Sequence, residues 1–203
     1  SDRGQSAPET LKGEKDPDPA HCVLAWRSFD RSNHDRFTAR FIKNILRGGM
    51  SSRLFTKLRD EMGSGYYVSA NHVAYKSFGA FVISTGTKHE RVPEIVEAIL
   101  GEAHRLKTEL VTDSELKKVK EYMRAHRLMS LETSDDVCDY CAEQETIEGD
   151  IRTPEDYERI YAAITAEDVL RVSKILFDHN KLTVAAIGKG IDREKIHKIL
   201  GIG

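Results

Sequence analysis

"LRDEMGSGYYVSANH", residues 58–72, changes its periodicity halfway through. Leu58 continues the inward spacing of Leu54 and Phe55 in "MSSRLFTKLRDE", a short helix that Ser51 or Ser52 can cap. From Tyr66 the chain reads as a strand. Gly63 and Gly65 form the hinge between the two, because glycine enters left-handed backbone conformations without a steric penalty. The reversal sets a fixed cation, Arg59, on one lip of a tight turn and a phenol, Tyr66, on the other.

Working outward, "HDRFTARFIKNILRGG" precedes the short helix, with Phe37, Phe41, Ile42, Ile45 and Leu46 on one helical stripe and Gly48 as the stop. Before it, residues 20–29 ("AHCVLAWRSF") alternate as a strand, with Cys22, Leu24 and Trp26 on one face and Val23, Ala25 and Arg27 on the other. On the C-terminal side, residues 66–72 and 77–85 read as antiparallel strands joined through Tyr75–Ser77. Then come five helices. Residues 92–110 carry Pro93 in the first turn, and Thr112 with Glu115 makes a capping box. Later starts fall at the Thr/Ser/Asp cluster near 133, at Thr153–Pro154 and at Thr165. "KLTVAAIG", residues 181–188, is an unbroken apolar run, as expected of a strand inside a sheet, and "DREKIHKILG" closes the chain. Strands this few and this scattered must share one sheet. The fold class is therefore α+β, a two-layer sandwich with a mostly antiparallel sheet and helices on one face. Residues 1–18, rich in proline and charge, read as a linker or disordered tail, and 19–203 as one domain.

Composition narrows the function by exclusion. The 203 residues are 39% hydrophobic and 32% charged, enough for one core. Lysine and arginine number 31 against 33 acids, a net charge of −2, so no field of one sign points to nucleic acid or to an anionic membrane. No run approaches the ~18 apolar residues of a membrane helix, and the start has no signal-peptide pattern. Three cysteines, Cys22, Cys138 and Cys141, argue against a disulfide framework. The lack of a visible signal and of a disulfide framework favours a cytoplasmic location, and the sequence leaves the compartment open. "CDYC" at 138–141 supplies at most two zinc ligands and falls in mid-helix, where packing explains it better than metal or redox chemistry. The eight histidines include no H-E-x-x-H or H-x-x-E-H pair, and G-x-S-x-G is absent.

What remains is the opening turn. An arginine at a helix C-terminus sits well against the negative end of the macrodipole, and a tyrosine suits a strand, so each alone is ordinary. Their combination is not explained that way. A guanidinium and a phenol alone, without an acid, base or nucleophile, make a poor catalyst. They make a good clamp for a peptide, the guanidinium donating to a carbonyl and the phenol to an oxyanion.

The stretch "NILRGGMSSRLFTKLRDEMGSGYYVSA", residues 44–70, resembles the C-terminal domain of the insulinase (pitrilysin) family of zinc peptidases, which includes the mitochondrial processing peptidases. The spacing from Arg59 to Tyr66 matches that family's arginine–tyrosine pair, and residues 131–188 resemble its later helices and last strand. The chain departs from the pattern at Ser64 and Gly65, which loosens the turn. The resemblance implies two similar domains in tandem, the first holding zinc through H-x-x-E-H and the second closing over the substrate. Arg59 and Tyr66 would then be the catalytic and substrate-binding residues. Zinc would be a cofactor of the full enzyme, held outside this chain by an N-terminal domain or a homologous subunit. The partners implied are an unstructured peptide and that zinc-bearing half, in a dimer. The isolated chain would be inactive. The rival within the same fold is a non-catalytic scaffold or assembly subunit.

Overall fold

A computed structural model describes residues 5, 7–13, 19–63, 65–149 and 151–202. The strands are β1 (Glu9–Gly13), β2 (Ala20–Ser28), β3 (Gly65–Ala74), β4 (Gly79–Thr87) and β5 (Leu182–Ile187). The helices are α1 (Asp35–Arg47), α2 (Arg53–Phe55), α3 (Val92–Thr108), α4 (Asp113–Met129), α5 (Ser134–Glu143), α6 (Pro154–Ala162), α7 (Ala166–Leu176) and α8 (Arg193–Ile199). One sheet runs in the order β1-β5-β2-β4-β3, antiparallel except for the β1–β5 pair.

Alternation decides which side of the sheet is covered. Cys22, Leu24 and Trp26 of β2, Phe81 and Ile83 of β4, and Leu182 and Val184 of β5 are buried, whereas Val23, Ala25 and Val82 between them are not. The buried face meets Phe41, Ile42 and Leu46 of α1, Ile95 and Ile99 of α3, and Val169 and Val172 of α7 in one core. The α+β sandwich with helices on one face is the architecture that the periodicities imply. Four helices open on capping boxes: Thr112 with Glu115, Thr133 with Asp136, Thr153 with Asp156 and Thr165 with Asp168. Glu115 also receives both arms of Arg53 at 2.7 and 3.0 Å, which fastens α2 to the start of α4.

The structure corrects the reading of residues 1–18 as a tail alone. Glu9–Gly13 form a parallel edge strand with Leu11 opposite Ala185, and Thr10 Oγ1 lies 2.7 Å from His197 Nε2 of α8. Side-chain pattern could not show this, because Leu11 is 63% exposed and the strand is held by backbone hydrogen bonds. β1 also covers the second edge of β5, the coverage that the apolar run of β5 calls for. Among the described residues no helix is long and apolar enough to cross a membrane.

His72 of β3 makes the fold pH-sensitive. Its Nε2 lies 3.0 Å from Ser28 Oγ, and Nδ1 is buried without a partner among the described residues. Burial, then the nearby Arg40 and Arg36 of α1, push its pKa down to about 4. The unfolded chain takes up this proton near pH 6.5 and the folded chain only near 4, so stability falls as pH drops through that window. The loss is on the order of 2 kcal/mol after allowance for partial exposure of the ring. Carboxylates held low by partners, such as Asp35 beside Arg171, titrate below that window. Urea midpoints at about pH 7 and about pH 5 should differ in the wild type and converge in His72→Gln.

Candidate functional site

α2 continues into a π-helical turn over Thr56–Glu61, which carries Arg59 at its last stage. Met62 N donates to Lys57 O at 3.2 Å and Gly63 N to Arg59 O at 3.1 Å, and Gly63 takes φ +58°. The turn is tied to α3's approach by Arg91 Nη1, which donates to Met62 O at 2.9 Å. The sequence reading located the helix but not its π form, since Leu54, Phe55 and Leu58 face inward in either geometry.

Arg59 is exposed, and its guanidinium carbon lies 5.1 Å from the centre of the Phe55 ring. Arg47 lies 5.2 Å from the same ring and donates from Nε to Val68 O at 2.8 Å. Phe55 thus supports two guanidiniums, a contact of about 0.5–1 kcal/mol for an exposed cation. Among the described residues Arg59 has no carboxylate partner.

β3 begins with a β-bulge. Gly65 pairs with Thr87 and Tyr67 with Gly86, so Tyr66 is the extra residue. A bulge breaks strict alternation and re-aims the side chain it carries. The Tyr66 side chain and Ser64 lie outside the described residues; the backbone places Tyr66 at the bulge, immediately after the turn that follows Arg59.

The next residue forms a contact that the sequence reading missed. Tyr67 lies across Gly86 to reach His21, with the phenol oxygen 2.9 Å from Nδ1. A Cβ on Gly86 would fall 2.4 Å from Tyr67 Cε1, so only glycine lets the ring cross there. Thr85 Oγ1 donates to Tyr67 O at 2.9 Å and fixes the same segment from the buried side. The legible signal was the glycine inside "ISTGT", which marks close approach in a strand.

The cysteines take no part in this site. Cys138 and Cys141 lie within α5, as expected, but Cys138 is exposed and Cys141 only partly covered, so burial is not what explains them. Cys22 is buried, and desolvation pushes its thiol up to about 12. A thiol reagent should therefore label Cys138 and Cys141 in the folded chain and Cys22 only after denaturation, a difference read directly by mass spectrometry. Among the described residues no group of three or more His, Cys, Asp or Glu could hold a metal ion.

Proteins of known sequence and structure resemble this chain over most of its length. An uncharacterized zinc protease of Bacillus subtilis is 27% identical over 169 residues, which are 83% of this chain and 41% of that protein. The alpha subunit of the mitochondrial-processing peptidase of Caenorhabditis elegans is 22% identical over 175 residues, 81% of this chain and 34% of that protein. The chain thus spans less than half the length of these relatives. In fold it matches a protease from Helicobacter pylori with a TM-score of 0.83 at 20% identity, over 91% of this chain and 44% of that one. The Peptidase M16 inactive domain of Pseudomonas fluorescens superposes with a TM-score of 0.77 at 20% identity, again over 91% of this chain and 44% of that one. The family model described as the Peptidase M16 inactive domain matches residues 5–123, more than half of the 203, and the chain belongs to that family.

Proposed function

We infer that this chain is the substrate-clamping, C-terminal domain of a zinc-dependent endopeptidase that hydrolyses unstructured peptides. The observation that carries the reading is Arg59. It is an exposed guanidinium with no carboxylate partner among the described residues, braced on Phe55 at the end of a π turn. The bulged Tyr66 follows on the next strand. Arg59 holds a backbone carbonyl of the extended peptide, and Tyr66 donates to the oxygen that becomes negative as the amide carbon turns tetrahedral. In this reading the metal and its activated water are supplied by an N-terminal domain or homologous subunit, and the zinc-protease names of the relatives support the use of zinc.

The test is reconstitution. The chain is mixed with a half that carries H-x-x-E-H, and cleavage of a quenched, unstructured peptide is followed. Activity is expected in the mixture and not with the chain alone. Cleavage by the isolated chain would overturn the division of labour. Undiminished cleavage in variants of both Arg59 and Tyr66 would favour a scaffold subunit of the same fold.

A further inference from the structure

Away from the turn, α1, β3, α4 and α6 enclose a cleft of about 440 Å³. Arg40 and Lys43 reach it from α1, one turn apart, and His126 and Arg127 from α4. No carboxylate lines it, and among the described residues none of Arg40, Lys43 and Arg127 forms an ion pair with a carboxylate. Elsewhere the chain does pair its cations: Arg53 with Glu115, Arg105 with Glu102 and Arg171 with Asp35. The cleft is therefore a local excess of positive charge on a protein whose net charge is −2.

The charges are held in place. Arg40 lies in hydrogen-bonding reach of the hydroxyl of Tyr161, which is only 6% exposed. Arg127 stacks over the ring of Tyr157 with its guanidinium carbon 4.1 Å from the ring centre. Lys43 is half-buried, and both burial and Arg40 lower its pKa, as expected of an ammonium without a counter-charge. Asn44 adds a neutral polar group to the wall. Two braced guanidiniums and an ammonium call for a ligand with several negative charges and many acceptor oxygens. A peptide carboxylate offers one charge and two oxygens, whereas linked phosphates match the forked donors of both arginines.

We propose that the cleft between α1 and α4 binds a small free polyanion of the polyphosphate class, gripped by Arg40, Lys43 and Arg127. The size suits a small-molecule site. The inference does not depend on the peptidase reading, because it concerns binding to this chain by itself.

Isothermal titration of the 203-residue chain with inorganic triphosphate at low salt tests it. One saturable site is expected, weakening as salt is raised. Lys43→Gln and Arg40→Gln should each weaken binding about tenfold, the loss of one hydrogen bond to a charged group. Tyr161→Phe should weaken it less, by releasing Arg40. Lys43→Arg, which keeps the charge, should bind as the wild type does and separates loss of contact from loss of fold. Lys174→Gln, an exposed site on α7, should leave binding unchanged. The proposal is overturned if no saturable heat appears, or if Lys174→Gln weakens binding as much as Lys43→Gln. It is also overturned if a phosphate-free acidic peptide binds more tightly, or if only vesicles bearing phosphoinositide headgroups bind.

Discussion

Tyr66→Phe, assembled with a zinc-bearing half, is expected to lower kcat for an unstructured peptide by ~100- to 1000-fold, with little change in KM. The hydroxyl group is all that is removed, and the oxygen it would meet carries charge in the transition state and not in the ground-state amide. A donor of that kind contributes about 2.7–4 kcal/mol to the barrier difference. Arg59→Ala should act differently. A guanidinium on a substrate carbonyl holds the peptide before and during reaction, so KM should rise along with the fall in kcat. Arg59→Lys should recover little, since a point charge does not replace a fork. The adjacent phenol supplies the control. Tyr67→Phe gives up its hydrogen bond to His21 on the sheet face and should change kcat only slightly. Equal losses for Tyr66→Phe and Tyr67→Phe would mean that the segment, not the Tyr66 hydroxyl, matters.

The architecture was legible wherever packing imposed a period. The stripe of Phe37, Phe41 and Ile45, the alternation of Cys22, Leu24 and Trp26, and the threonine caps all report burial or backbone satisfaction, which constrain residue type strongly. β1 was not legible, because an edge strand with one exposed leucine is selected by its backbone. The π turn and the bulge were not legible either, since each shifts the chain by one residue without changing which side chains are apolar. Those two irregularities are what separate Arg59 and Tyr66 from an ordinary helix end and strand start. The pair itself was recognised from spacing and family resemblance, not from periodicity. The basic cleft escaped for another reason: Arg40 and Lys43 sit near each other in sequence, but His126 and Arg127 join them only through the packing of α4 on α1.

The largest stability effect is expected at Phe177. It follows α7, is 3% exposed, and meets Trp26 of β2 at 5.1 Å and Phe81 of β4 at 5.4 Å, both edge-to-face. That ring is the point at which the helix layer grips two central strands, so its loss is felt in both layers. Phe177→Ala should cost about 3–5 kcal/mol, the sum of lost transfer and the cavity left behind. The two edge-to-face contacts place it toward the upper part of that range, since each adds roughly 0.5–1.5 kcal/mol beyond buried area. Against a total stability of about 5–15 kcal/mol this is enough to leave the domain marginal. Phe177→Leu, which keeps most of the volume and loses the ring contacts, should fall well short of it. Trp26 is the only tryptophan in the chain, so its fluorescence reads unfolding at the site of the change. The urea midpoint should drop with the slope unchanged. A loss under about 1 kcal/mol for Phe177→Ala would mean that the core closes over the gap and that the two layers do not depend on this contact.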